Sequence, residues 1–266
     1  MIRDAMMKTA RGPIRCLEAG AGWPCVLIHA FPLTADMWRP QLDRVPAGWR
    51  MIAPDCRGLG GTPPAVDPPS MDDYAADVEA VMDALEIESA VIGGLSMGGY
   101  IAFALHRRAA DRFTGVILAD TRAEADTPEG RDARRATSEL LRTKGVAAVA
   151  DSMLPKLLGA AASRDARVVA GVRRMIEGNS VEGLDHAIHA LMGRPDSTPI
   201  LPRLAVPALV IVGSEDQLTP VANSEALQLG IPRSQLVVVP GAGHLSNLEA
   251  PEAFATALEN FLISSM

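Results

Sequence analysis

The sequence predicts an α/β fold with a mostly parallel central sheet flanked by helices. Short apolar runs rich in valine and isoleucine recur along the 266-residue chain, and most are followed by a turn that contains glycine. Runs that do not alternate with polar residues are typical of strands buried on both faces, as in parallel sheets covered by helices. Amphipathic segments lie between the runs, so strands and helices alternate. The six runs are PCVLIHAFP, MIAPDCRGLG, SAVIGGLS, GVILADTR, PALVIVGSED and QLVVVPGAGH.

The helices between these strands are predicted from the spacing of their apolar residues. In DDYAADVEAVMDALEI, apolar side chains recur at Ala76, Val78, Val81, Met82 and Leu85, which places them on one face of a helix. The C-terminal segment PEAFATALENFLI has the same spacing. Both segments therefore predict helices that pack against the sheet.

A long interval without any strand-like run separates the fourth run from the fifth. The residue pattern of this interval predicts several short helices separated by glycine and proline. The interval is longer than 80 residues, which is too long for a simple loop. We therefore expect a helical cap over residues 122–205, inserted before the strand that carries the acid discussed below. Residues 1–121 and 206–266 would form the core, and core and cap would be parts of one folded unit.

Charge and hydropathy exclude several classes of partner. The net charge is −7 and the sequence has no run of lysine or arginine, which argues against binding to nucleic acid or to an anionic membrane surface. The N-terminal segment mixes charges and lacks the apolar core of a signal peptide. No stretch approaches 18 uninterrupted apolar residues, so no membrane span is expected.

The three cysteines predict reduced thiols and a cytoplasmic protein. Cys16, Cys25 and Cys56 form an odd and scattered set without a C-x-x-C pair. None of them lies in a known catalytic cysteine signature.

The segment VIGGLSMGGY concentrates four glycines around Ser96, between a predicted strand and a predicted helix. A chain that passes from strand to helix over so few residues must turn sharply, and the residues two positions either side of the apex then have no room for side chains. Gly94 and Gly98 occupy those two positions. The apex residue is expected in a strained conformation with its hydroxyl exposed at a helix N-terminus, which is typical of a nucleophilic serine.

A nucleophilic serine requires a base and an acid that orients the base. His244 follows the last strand-like run and Asp216 follows the run before it, so both belong to the edge where α/β sheets build their sites. The order Ser96, Asp216, His244 is the one expected for this kind of site. Asp120 and Glu215 also follow strands and remain alternative acids.

Backbone N–H groups are the expected donors to the oxyanion formed during acyl transfer. Met97 follows the nucleophile and supplies one; the loop LIHAFPLTADMW supplies the second, which we assign to Phe31. His29 in that loop is expected to orient backbone rather than to react. The other histidines, His106, His186 and His189, lie in predicted helices.

Together these motifs resemble the α/β-hydrolase fold superfamily over almost the whole chain. The matching segments are HAFPLTADMW, DCRGLGGT, GLSMGGY, VGSEDQLTP and GAGHLSNLEAPEAF. Within the superfamily the chain is most similar to carboxylesterases and 3-oxoadipate enol-lactonase-like hydrolases, with a more distant likeness to cofactor-free haloperoxidases and perhydrolases. A dehalogenase of the same fold would carry aspartate in place of Ser96.

Two positions depart from the pattern of the superfamily. The oxyanion loop usually carries His-Gly where this chain has His29-Ala30, and Thr62 replaces a common serine. Asp55 and Arg57 in the same region are interpreted as a structural turn and ion pair.

The predicted function is that of a serine hydrolase, which cleaves small carboxylic esters or lactones through an acyl-enzyme on Ser96 and requires no metal or organic cofactor. The alternatives are C–C bond hydrolysis or perhydrolysis with the same triad, and a receptor-like protein with slow turnover. The expected partner is a small-molecule substrate, and the sequence does not specify an oligomeric state.

Residues of the cap that could bind substrate are ambiguous. An enol-lactonase-like substrate carries its own carboxylate and would require a cation in the pocket. The cap arginines Arg122, Arg131, Arg134 and Arg135 are available, but helical spacing places most of them on a solvated face. A second set, Met153, Leu157 and Met192, is expected to fill the core of the cap rather than to line an acyl pocket.

Overall fold

The computed structural model describes residues 1–264, and within them the chain forms one eight-stranded sheet. The strand order is β1-β2-β4-β3-β5-β6-β7-β8. The strands are β1 (Arg3–Thr9), β2 (Gly12–Gly20), β3 (Trp23–Ile28), β4 (Trp49–Pro54), β5 (Ala90–Leu95), β6 (Phe113–Ala119), β7 (Ala208–Gly213) and β8 (Ser234–Val239). All pairings from β4 to β8 are parallel, which confirms the predicted α/β fold class.

The antiparallel hairpin β1–β2 was not among the predicted strands. Its strands pair from Arg3 opposite Glu18 to Thr9 opposite Gly12, and β2 then pairs with β4. The residues of β1 are exposed or half-buried, and apolar and charged side chains mix along it. An edge strand of this kind has no continuous apolar run, so the criterion that found β3 to β8 could not find it.

Nine α-helices are present in residues 1–264, and none of them is long and apolar enough to cross a membrane. They are α1 (Arg39–Leu42), α2 (Met71–Ala84), α3 (Met97–Arg108), α4 (Pro128–Leu157), α5 (Ala166–Glu177), α6 (Val181–Gly193), α7 (Val221–Gly230), α8 (Ser246–Glu249) and α9 (Pro251–Ser264). Helix α4 consists of two helices joined at Gly145, which has a φ of 79°. The predicted helices in DDYAADVEAVMDALEI and PEAFATALENFLI are α2 and α9.

We call residues 122–205 the cap segment. It contains α4, α5 and α6 with short 3₁₀ turns and, as described, no strand. Its apolar side chains are continuous with those that cover the sheet: Leu141 and Leu184 join the cluster around Ile101, and Leu157 joins the cluster around Leu33. The division into core and cap remains a prediction, and its last two positions, 265 and 266, lie outside the described residues.

Candidate active site

The turn between β5 and α3 places Ser96 at a sharp bend with a φ of 54° and a ψ of −110°. A Cβ atom at Gly94 would overlap the backbone of Gly98, and a Cβ atom at Gly98 would overlap the carbonyl oxygen of Ile28. Any side chain at either glycine would push the turn away from the sheet. The steric reason that the sequence suggested for these two glycines is therefore present in the structure.

The backbone of Ser96 is held by its neighbours, while its hydroxyl is not. The Ser96 N–H group donates to the carbonyl of Ala119 at 2.9 Å, and its own carbonyl accepts from the Thr121 hydroxyl at 2.8 Å. Within residues 1–264 no hydrogen bond uses the Ser96 hydroxyl, which faces a cavity that His244 also lines. Hydrogen bonds between a nucleophile and its base are often long in enzymes without substrate and tighten when substrate binds.

His244 and Asp216 are in direct contact. The Nδ1 atom of His244 lies 2.8 Å from Oδ2 of Asp216, and both side chains are buried. The Thr219 hydroxyl donates to the same carboxylate oxygen at 2.6 Å, while the N–H groups of Leu218 and Thr219 donate to Oδ1. The sequence did not indicate Thr219; the only local signal was that aspartate side chains in turns often accept a backbone N–H two residues on, as Asp216 does from Leu218.

The electrostatics of this pair favour an ionised acid. Burial by itself would raise the pKa of Asp216, but the charge and hydrogen bond of His244, together with the Thr219 hydroxyl, keep it below the usual value. A carboxylate in this state can hold the histidine proton on Nδ1, which leaves Nε2 free.

The two alternative acids have other partners. Asp120 is fully buried, accepts the Gly213 N–H at 2.8 Å and is bonded to the Ser246 hydroxyl. Burial, with the charge of Asp216 adding to it, raises the pKa of Asp120 well above its ordinary value. Glu215 is exposed and accepts the Ala160 N–H at 2.7 Å. Of the three candidates, the structure brings Asp216 to His244.

Of the two predicted oxyanion donors, Met97 directly follows Ser96 in the chain and Phe31 borders the same cavity. Met97 is the first residue of α3, so its N–H group has no acceptor within the helix. Phe31 follows β3 and lines the same cavity as Ser96 and His244. Met37 supports the loop that carries Phe31, because its sulfur accepts the Ala30 N–H at 3.2 Å.

Both ring nitrogens of His29 form hydrogen bonds with backbone groups, as expected from the sequence. Its Nδ1 lies 3.0 Å from the Ala30 carbonyl and its Nε2 accepts the Cys56 N–H at 2.8 Å. This pattern fits a neutral ring, and burial lowers the pKa of His29 accordingly. His29 thereby connects the oxyanion loop to the loop after β4.

The predicted ion pair between Asp55 and Arg57 is not formed. Asp55 instead pairs with Arg15 at 3.1 Å and accepts the Ala35 N–H at 2.7 Å, while Arg57 makes two hydrogen bonds to Asp77. Both residues are structural, but each has a partner that is distant in sequence. The local motif could not reveal those partners.

The cavity above Ser96 has a volume of about 210 Å³, and most of its lining residues belong to the cap segment. Met153 lines it and also packs against the hydrophobic core, while Leu157 is buried in the core and Met192 packs against it. Arg122 and Arg134 also line the cavity, whereas Arg131 and Arg135 are exposed, so two of the four arginines, rather than most of them, lie on a solvated face.

The two cavity arginines are held by one buried carboxylate. Asp126 accepts hydrogen bonds from Arg122, Arg134 and Arg194. Burial opposes ionisation, but the hydrogen bond and charge of Arg134, with the charge of Arg194, keep the pKa of Asp126 below its usual value. Arg194 also lies over the ring of Tyr100, 4.2 Å from its centroid. The spacing of Arg122 and Asp126, four residues apart, was the only sequence signal for this cluster.

Comparison with known proteins assigns the family. Residues 25–257 match the sequence profile of the alpha/beta hydrolase family. The chain belongs to this family. It is 32% identical to 3-oxoadipate enol-lactonase 2 of Acinetobacter baylyi over 225 residues, which covers 84% of this chain and 82% of that protein.

Solved structures of the alpha/beta hydrolase family are also similar. A thermophilic esterase from Thermogutta terrifontis, solved with malate bound, superposes with a TM-score of 0.93 at 37% identity and covers 99% of both chains. The enol-lactonase from Burkholderia xenovorans LB400 has a TM-score of 0.89 at 30% identity and covers 98% of this chain and 100% of its own. These matches confirm the fold and the membership of a hydrolase family that the sequence predicted.

Proposed function

We propose that the protein is a serine hydrolase that cleaves small carboxylic esters or lactones through an acyl-enzyme on Ser96. The observation that supports this most directly is the cavity itself. It brings a strained serine with an unbonded hydroxyl to the same space as a histidine already oriented by a buried carboxylate. The serine and its acid–base partners are separated by more than 100 residues of chain.

In the acylation step the Ser96 oxygen attacks the carbonyl carbon while Nε2 of His244 accepts the hydroxyl proton. The carbonyl π electrons move onto oxygen, where the N–H groups of Phe31 and Met97 stabilise the charge. Asp216 keeps the proton on Nδ1 and stabilises the imidazolium that forms. Collapse of the intermediate breaks the bond to the alkoxide, which takes the proton from His244.

Deacylation repeats these steps with water as the nucleophile. His244 removes a proton from the water as it attacks the acyl carbon, and then returns that proton to the Ser96 oxygen as the acid leaves. In a lactone the leaving alkoxide remains attached to the acyl group, so the product is a single hydroxy acid or, from an enol-lactone, a keto acid.

The similar proteins support the choice of substrates. An enol-lactonase and an esterase both resemble this chain over more than four fifths of its length. Both names describe cleavage of an acyl–oxygen bond, which is the chemistry that a serine, a histidine and two N–H donors perform without any metal.

The test is steady-state hydrolysis of p-nitrophenyl acetate, butyrate and octanoate, with 3-oxoadipate enol-lactone alongside, by the wild type and Ser96→Ala. We expect multiple turnovers by the wild type and a loss of kcat of about 10⁴-fold or more in the variant, since removal of a triad nucleophile leaves only binding and oxyanion stabilisation. Ser89→Ala, which changes a serine outside the cavity, serves as the matched control and should retain wild-type kcat. Turnover that survives in Ser96→Ala, or a wild type that hydrolyses none of these substrates, would refute the proposal.

A further inference from the structure

The charges that line the Ser96 cavity are unbalanced. Arg122, Arg134 and Lys156 line it, and Asp126 is the one acidic side chain among the lining residues described. The whole chain carries a net charge of −7, so this concentration of cations does not follow from the composition. An excess of positive charge in a concave site raises the local concentration of anions.

The hydrogen-bond donors in this cluster also outnumber the acceptors. A guanidinium has about five N–H donors and a carboxylate about four acceptor positions, so Asp126 cannot satisfy three arginines. Arg194 is buried, and its two terminal nitrogens also donate to the carbonyls of Leu191 and Glu124, although its Nε has no partner within residues 1–264. Arg122 and Arg134 have no such second acceptors among the described hydrogen bonds, and Nε of Arg122 is buried without a partner.

Asp126 fixes the positions of these arginines. The side chain of Asp126 is 1% exposed, whereas those of Arg122 and Arg134 are 26% and 23% exposed. The carboxylate is therefore more deeply buried than the two guanidinium groups and holds them in place, and all three side chains border the cavity. A planar guanidinium whose orientation is already fixed loses little entropy when it binds a carboxylate through two parallel hydrogen bonds.

We propose that Arg122 and Arg134 form a carboxylate-binding subsite, so that the preferred substrates are small esters or lactones that carry a carboxylate of their own. This inference rests on the proposed hydrolase function. A neutral substrate would displace water from the guanidinium groups without replacing the hydrogen bonds that the water made. A site with such polar groups disfavours ligands that lack a matching charged group.

The test compares two chromogenic esters of the same acyl length, mono-p-nitrophenyl glutarate and p-nitrophenyl pentanoate, with Ser96→Ala as the blank for uncatalysed hydrolysis. The wild type should have a kcat/KM at least about tenfold higher on the hemiester. In Arg134→Gln this preference should fall about tenfold or more, mainly because KM for the hemiester rises, while KM for the pentanoate should change much less. Arg135→Gln is the matched control, because Arg135 lies on the same helix, pairs with Asp132 and does not line the cavity.

A binding measurement separates this inference from the proposed function. Calorimetry with glutarate and with neutral 1,5-pentanediol requires no turnover, and glutarate should bind the wild type at least about tenfold more tightly. Arg122→Gln provides a second variant in case Arg134→Gln does not fold. A wild type that hydrolyses neither ester but binds glutarate through these arginines would refute the hydrolase and keep the subsite. Equal rates on the two esters, or equal losses on both in Arg134→Gln, would refute the subsite.

Discussion

The two walls of the Ser96 cavity differ in how completely their polar groups are satisfied. On the wall formed by the loops after β7 and β8, the Asp216 carboxylate receives hydrogen bonds from His244, Thr219 and the Leu218 N–H. This carboxylate is not shared with any other charged group named among those bonds. On the wall formed by the cap segment, one carboxylate is shared among three arginines. The first wall is complete by itself, whereas the second retains donors that no described residue accepts.

This difference indicates a division of roles between core and cap. A group that moves protons must be held in one geometry and one protonation state, and this requires a satisfied set of hydrogen bonds. A group that selects an anionic ligand must keep part of its hydrogen-bonding capacity for that ligand. The loops of the sheet are therefore suited to the chemistry and the cap segment to specificity.

The largest effect is expected from a change on the satisfied wall, Asp216→Asn. The asparagine would favour the wrong tautomer of His244, and kcat should fall about 10⁴-fold with little change in fold. Steady-state hydrolysis of p-nitrophenyl butyrate, with circular dichroism to verify folding, measures this. Glu215→Gln, one residue earlier and exposed, is the matched control and should retain wild-type kcat.

If kcat falls more in Asp120→Asn than in Asp216→Asn, the assignment of the acid is wrong. Asp120 would then act on His244 in a conformation different from the one described here.

A smaller effect, on stability rather than on rate, is expected from Asp126→Asn on the cap wall. Loss of this carboxylate leaves three guanidinium groups without their shared counter-charge, and the Arg194 side chain is only 3% exposed. Removing one member of a buried ionic cluster lowers the free energy of unfolding by about 3–5 kcal/mol. Urea unfolding measures this change.

Asp132→Asn is the control for that experiment, because Asp132 pairs with Arg135 on the surface. We expect it to change the free energy of unfolding by less than about 0.5 kcal/mol. Equal effects of the two substitutions would show that Asp126 does not organise the arginines.

The smallest effect is expected from Asp120→Asn, and the size of this effect on the free energy of unfolding depends on pH. Burial and the charge of Asp216 raise the folded-state pKa of Asp120. The stability that its neutral form contributes is therefore complete below the unfolded pKa of about 3.9 and is lost as the pH rises toward the folded value. Asparagine is neutral throughout, so the variant should gain stability relative to the wild type as the pH rises from about 4 toward the folded-state pKa of Asp120. Urea unfolding at three pH values in this range checks it, and a difference that does not change with pH would contradict it.

Most of the fold could be predicted because its signals are local. Strands β3 to β8 are short apolar runs, and the turn at Ser96 is indicated by glycines whose neighbours in the chain create the crowding. The edge strand β1 escaped because it is half-exposed and has no run of buried residues, and β2 escaped because polar residues interrupt its buried ones. The bend at Gly145 escaped as well, since a glycine in a helical pattern indicates a bend only if its φ is known.

The sequence by itself determined the succession of strands β3 to β8 with helices between them, the sharp turn at Ser96 and the positions of its candidate partners after β7 and β8. These features depend on residues that are close together in the chain, where steric limits and apolar spacing act directly. Only the tertiary structure decided which of three carboxylates contacts His244, and which cap arginines face the cavity instead of solvent. Those outcomes depend on the distance and relative burial of charges that are far apart in sequence, and the folded chain alone brings such charges together.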